Sequence, residues 1–187
     1  MTPESADALL FGEALACREH VRAGFAPQPL ETRQAEALCL RAESGLGAIA
    51  VIEDNRAEEE DAAQGAALRR IEAKLDLLLA LVGQLGRAAE AATEVSLQWS
   101  ALGARLPATP DVAVGDTGLF RIQAAPWLPE SLALPARVIA IGPAQDAPGA
   151  PLLWLCFDPL TPGVASALER HLFRRHRQAV AERRRGA

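Results

Sequence analysis

The sequence predicts an α+β chain in which long helices come first, a small antiparallel sheet or barrel follows, and a helix closes the fold. Three observations lead there. Ala and Leu supply much of the 50% apolar content and Tyr is absent, a mixture that favours helix over much of the chain. A heptad seam runs through the middle of the sequence. After Ala92 the pattern changes to short alternating runs punctuated by Gly and Pro, as in a small antiparallel sheet.

Taken in order, residues 4–24 (ESADALLFGEALACREHVRAG) are expected as a first helix, with Leu9, Leu10, Ala14 and Cys17 on its apolar side. FAPQP ends it, because Pro27 and Pro29 lack the amide donors a helix interior needs. A second helix is expected from Leu30 to about Ile49. GLGAIAVIEDN is kept as its continuation, although Ile49, Val51 and Ile52 favour strand intrinsically. The third helix is proline-free from about Glu58 to Gly86. Leu68, Ile71, Leu75, Leu78, Val82 and Leu85 occupy its a and d positions, and Leu79 widens the seam. A seam this wide exceeds what a two-stranded zipper covers and leans towards four copies. The competing reading is a monomeric bundle whose first two helices cover the seam. The regularity of the heptad favours self-association.

In the second half, TEVSLQWS sets Val95, Leu97 and Trp99 on alternate positions of a half-buried strand. LPATPDVAVGDTG reads as a turn-rich connection. GLFRIQA, LALPARVIAIG and LLWLCFDP are further strands. Thr161 and Pro162 then open a terminal helix as cap and first-turn residue, with Val164, Leu168 and Leu172 as its packing stripe. The expected organisation is a helical region at 1–60, a heptad oligomerisation helix at 61–92, and a sheet domain with its closing helix at 93–187.

Charge narrows the function. A formal net charge of −5 argues against a general nucleic-acid binder, and no apolar run is long enough for a membrane span. Three widely separated cysteines, with no CxxC pair, fit neither a disulfide scaffold nor a zinc site, so a cytoplasmic location is expected. Residues 1–61 carry 13 acidic and 5 basic side chains, whereas residues 170–185 carry seven arginines and one glutamate. Within that basic run, Arg170, Arg174, Arg175 and Arg177 could meet an acidic partner or an anion through guanidinium geometry. The plainer alternative is a solvated helix face. Catalysis and metal binding find little support. G-x-S-x-G, HExxH and P-loop patterns are absent. His171 and His176 are five apart, and Cys156 has no base near it in sequence.

The run from Thr93 through VGDTGLFRIQ, LPARVIAIG, LLWLCFDPL and LERHLFRRHRQAVAE resembles a PilZ domain. With RRIEAKLDLLL ahead of it, it is similar to the atypical, helix-extended PilZ proteins, over roughly residues 68–183. The resemblance implies a small antiparallel PilZ-like β-barrel, heptad helices through which copies assemble as a tetramer, and a role in cyclic di-GMP signalling around type IV pilus activity, motility or virulence. The family's [D/N]xSxxG pattern is half kept. Ser100 and Gly103 match, while Gln98 replaces the Asp or Asn. The RxxxR pattern ahead of the barrel is missing. The paired guanidiniums that would meet two phosphates are thus missing from the pattern, and Gln98 supplies no charge, so weak or absent cyclic di-GMP binding is expected, in a non-enzymatic adaptor without a cofactor that acts through homo-oligomerisation and protein partners. A genuine cyclic di-GMP receptor is the first alternative, and would need at least two arginines converging beside Ser100. A purely structural coiled-coil assembly protein is the second.

Overall fold

The computed structural model describes residues 1–59, 75, 93–128, 131–143 and 151–185. Its centre is a closed antiparallel barrel of six strands: β1 (Cys17–Pro27), β2 (Thr93–Trp99), β3 (Gly103–Pro107), β4 (Thr117–Ile122), β5 (Leu132–Gly142) and β6 (Leu152–Cys156). Around the barrel the order is β1-β2-β3-β6-β5-β4. Among the described residues, three helices pack on it: α1 (Pro3–Phe11), α2 (Thr32–Glu59) and α3 (Pro162–Arg185).

The expectation of one helix over residues 4–24 is corrected. The chain is helical only over Pro3–Phe11, and Cys17–Pro27 is the strand that closes the barrel between β2 and β4. Cys17, Ala23 and Phe25 are buried, while Arg18 and His20 are exposed, which is the period of two that a half-buried strand requires. Pairing of Ala23 with Ile122 and of Phe25 with Phe120 overrides the helical propensity of the composition. A second correction concerns Gly103–Pro107, whose last two residues, Leu106 and Pro107, open the stretch expected as a turn-rich connection. Gly103–Pro107 is the strand β3, paired along its whole length with β6. The heptad residues Leu68, Ile71, Leu78, Leu79, Val82 and Leu85 lie outside the described residues. Leu75 is helical and exposed.

The barrel interior holds Phe25, Leu97, Trp99, Phe120, Ile122, Leu134, Val138, Leu153 and Leu155. Ala42, Leu46 and Ile49 of α2 and Val164, Leu168 and Leu172 of α3 extend this core. Thr161 caps α3, its Oγ1 accepting from the Val164 amide at 3.4 Å, as the sequence led one to expect. A Cβ at Gly163 would collide with the Glu43 carboxylate. Glycine there lets an α2 carboxylate approach the positive first turn of α3.

α1 sits outside the barrel on a separate apolar cluster. Ala6 and Leu10 are fully buried against Ala140 and Trp154. A register shift between Val138 and Ala140 creates this seat. The extra residue places Ile139 and Ala140 together on the outer side while Val138 and Ile141 remain with the core. Thr2 and Pro3 start α1 as cap and first residue, and Gly12 follows its end.

Candidate functional site

The residues singled out in the sequence meet at the turn between β2 and β3, directly beneath α1. Ser100 is fully buried. Its hydroxyl donates to the Leu10 carbonyl at 2.7 Å and accepts from the Leu102 amide at 3.1 Å, so it satisfies an orphan carbonyl at the end of α1. The Ser100 amide donates to the Gly103 carbonyl at 2.9 Å. Any Cβ on Gly103 would run into the Leu155 carbonyl and the Leu10 side chain. Both motif matches therefore have a local structural duty.

Gln98 faces outward from β2, opposite Arg105 on β3 and Arg18 on β1. Its Oε1 accepts from Arg105 Nη2 at 2.9 Å and from Arg18 Nε at 3.3 Å. Two arginines thus converge beside the motif. One of them is already neutralised: Arg105 Nη1 donates to both carboxylate oxygens of Asp7, at 3.0 and 2.8 Å. Trp154 Nε1 donates to the same carboxylate at 2.7 Å. The Arg105 guanidinium also lies 5.9 Å from the ring centres of both Phe11 and Trp154, within cation–π range. Arg18, Arg105, Asp7 and Trp154 were not read from the sequence. Asp7 and Arg105 are 98 residues apart, and no linear spacing links them.

Trp99 points into the barrel, opposite Gln98, with its ring centre 5.8 Å from that of His171. Its place is in the core. His171 is itself fully buried and neither ring nitrogen makes a well-formed hydrogen bond. Burial first, then the nearby Arg175 and Arg174 charges, hold its pKa down at about 4, with the Ala124 backbone opposing weakly. Burial also pushes the Cys17 and Cys156 thiols up, leaving them weak nucleophiles at neutral pH.

The four arginines of α3 separate in the fold. Arg170 and Arg177 are exposed. Arg174 reaches Glu53 of α2, Nε to Oε2 at 3.4 Å, and Arg175 donates to Glu19 of β1 at 2.9 Å. Both pairs are largely screened from solvent. Between β1 and α3 a cleft of about 450 Å³ is lined by Arg18, Glu19, Gln98, Arg175, His176 and Arg183, among others. Gln98 is the motif position that lines it. Among the described residues, no three His, Cys, Asp or Glu side chains are grouped to hold a metal ion, and no helix is long and apolar enough to cross a membrane.

Residues 46–185 match a family model described as an atypical PilZ domain, cyclic di-GMP receptor. Among solved structures, the chain is similar to a pathogenic protein from Xanthomonas campestris, described as a new tetrameric PilZ domain self-assembled via an unusual helical bundle. Identity is 37%, coverage is 96% of this chain and 97% of that one, and the TM-score is 0.75. A weaker likeness is to the PilZ domain of YcgR from Escherichia coli with cyclic di-GMP, at 19% identity, 51% and 80% coverage, and TM-score 0.41. No curated protein sequence matches.

Proposed function

The chain belongs to the atypical PilZ family, and from that premise we propose that it is a non-enzymatic signalling adaptor that assembles as a homo-oligomer and binds cyclic di-GMP weakly or not at all. The observation that carries this reading is the engagement of the motif by the chain itself. Ser100 holds the end of α1, and the Asp7 carboxylate fills the guanidinium face of Arg105. A phosphate arriving there must displace a carboxylate that accepts from Arg105 Nη1 through both oxygens, a charge-assisted contact. Gln98 adds no charge of its own.

Calorimetric titration of the intact protein with cyclic di-GMP is expected to give a Kd no tighter than about tens of micromolar. A submicromolar Kd would refute the reading. It would instead favour the receptor alternative, for which the convergence of Arg18 and Arg105 on Gln98 is the supporting observation.

Assembly is assigned to the heptad helix of residues 61–92, with Leu68, Ile71, Leu75, Leu78, Leu79, Val82 and Leu85 at the interface and four copies as the expected number. The heptad pattern supports this, as does likeness over nearly the whole chain to a protein described as tetrameric. Arg170 and Arg177, exposed on α3, are offered to acidic protein partners several copies at a time, where multivalency strengthens weak contacts. A cytoplasmic setting and a link to type IV pilus activity, motility or virulence complete the proposal. The purely structural alternative predicts that charge reversal at Arg170 and Arg177 leaves every partner interaction unchanged.

A further inference from the structure

The seat beneath α1 has the properties of a helix-reading groove. We propose that it is a docking site for a short amphipathic helix of a partner protein, carrying a carboxylate with an aliphatic residue three positions on and an aromatic residue four positions on. On this view α1 is the groove's resident occupant in the free protein. The inference deepens the adaptor reading by stating which partner chemistry one barrel face accepts, and it does not depend on whether cyclic di-GMP binds.

The groove dictates that chemistry. At its floor, Arg105 and Trp154 aim three hydrogen bonds at one carboxylate, now Asp7. Ala140 and Trp154 form an apolar pocket that holds Leu10 fully buried, with Ala6 as the small residue that lets the helix lie close. Phe11 packs at the edge of this cluster and faces the Arg105 guanidinium. Ser100 waits at the end for a helix-terminal carbonyl, now that of Leu10. Acidic, aliphatic and aromatic anchors at i, i+3 and i+4 lie on one helix face, which is the helix-in-groove mode of recognition.

The resident occupant is held by one side only. α1 has nine residues, shorter than a helix that is stable alone. Leu9 on its outer surface is 49% exposed and Met1, ahead of its cap, 63%, and residues 12–16, which join it to β1, have no regular structure. Net affinity for a partner then depends on competition with a tethered helix whose effective concentration is on the order of millimolar. A partner segment wins by making the same contacts and extending beyond them.

The test uses the full chain and a fluorescein-labelled synthetic peptide of residues 2–13. The double variant Asp7→Ala with Leu10→Ala removes the anchors of the resident helix and keeps the groove. Fluorescence anisotropy is expected to show this variant binding the peptide at least ten-fold more tightly than the wild type. A peptide carrying Asp7→Ala, or the addition of Arg105→Gln to the double variant, is expected to abolish that gain. Equal affinity in wild type and a folded double variant would overturn the proposal, as would undiminished binding of the altered peptide. A rise in mass of the double variant in place of peptide binding would assign the seat to a second copy and likewise overturn it. Should the double variant fail to fold, hydrogen exchange of the wild type decides. The Leu10 and Gly12 amides are expected to exchange at least a hundred-fold faster than the Phe120 amide of the barrel. Exchange of α1 only through global unfolding would overturn the proposal.

Discussion

Acid is expected to unseat the core through His171, and the effect is large enough to measure against the rest of the protein. His171 is fully buried beside Trp99 and below Arg174 and Arg175. Its pKa falls from 6.5 to about 4, so the folded protein resists taking up the proton that the unfolded chain binds readily. At pH 7 the ring is neutral in the folded state and mostly neutral in the unfolded one, so it contributes little pH dependence there. As pH falls below 6.5 the unfolded state gains the proton first and stability is lost, until the folded ring also protonates near pH 4. At about 1.4 kcal/mol per pH unit, the gap between the two values amounts to a loss of about 3 kcal/mol across that window.

The perturbation is His171→Leu, which keeps an apolar side chain of similar size and removes the titrating ring. Urea unfolding followed by circular dichroism, at fixed protein concentration and in steps from about pH 7 to about pH 4, gives stability as a function of pH for both proteins. Carboxylates shared by the two chains cancel in the difference. The wild type is expected to lose about 3 kcal/mol more than the variant over this range. Parallel curves would refute the reasoning, because they would mean that His171 is protonated as easily in the fold as outside it. A wild type that gains stability on acidification relative to the variant would refute it more sharply, since the sign would be reversed.

Other perturbations address the tether and the assembly. Ser100→Ala leaves the Leu10 carbonyl and the Leu102 amide without their side-chain partner and is expected to cost about 1–2 kcal/mol in thermal or urea unfolding. Gly103→Ala forces a Cβ against the Leu155 backbone and is expected to lower stability by about 2 kcal/mol or more, read by the same unfolding measurements. Asp7→Asn keeps the size of the side chain and loses the charge that meets Arg105; faster hydrogen exchange across α1, with the barrel strands unchanged, is the expected result. Replacing Leu75 and Leu78 together with Asp is expected to reduce the mass found by light scattering to that of a single chain, because an unpaired buried carboxylate is costly. An unchanged mass would remove the heptad interface.

What could be read from the sequence depended on how far apart the cooperating residues lie. Trp99, Val164, Leu168 and Leu172 announce their burial by local period alone, and each is buried in the fold. β4, β5 and β6 are bounded by Gly and Pro turns and stand where that punctuation put them. β1 was missed because Glu19 interrupts its inward face. That glutamate is tolerated there only because Arg175, 156 residues later, meets it. The outward seat for α1 rests on one extra residue between Val138 and Ala140, which leaves no mark in a single sequence. The motif half-match at Ser100 and Gly103 was legible as a pattern, but its present duty was not, because Leu10 and Leu155, far off in the chain, supply the contacts that give it.

That separation also bears on how Ser100 and Gly103 serve this fold with Gln98 in place of the Asp or Asn. Ser100 and Gly103 are needed by the β2–β3 turn and by α1 whatever ligand is present: one holds the Leu10 carbonyl, and the other clears space for Leu155 and Leu10. Gln98 has no such packing duty. Its side chain faces Arg18 and Arg105, and an Asp there would compete with Asp7 for the same guanidinium. With the carboxylate supplied by α1, Arg105 is satisfied by Asp7 and its guanidinium is turned towards that helix. Placing a carboxylate on β2 as Gln98→Asp, in a chain that also carries Asp7→Ala, should therefore move Arg105 from α1 to β2, loosening the helix while leaving the barrel intact. Accelerated exchange of the α1 amides with unchanged protection of β4 is the expected signature, and retained protection of α1 in that double variant would show that Asp7 is not what fastens it.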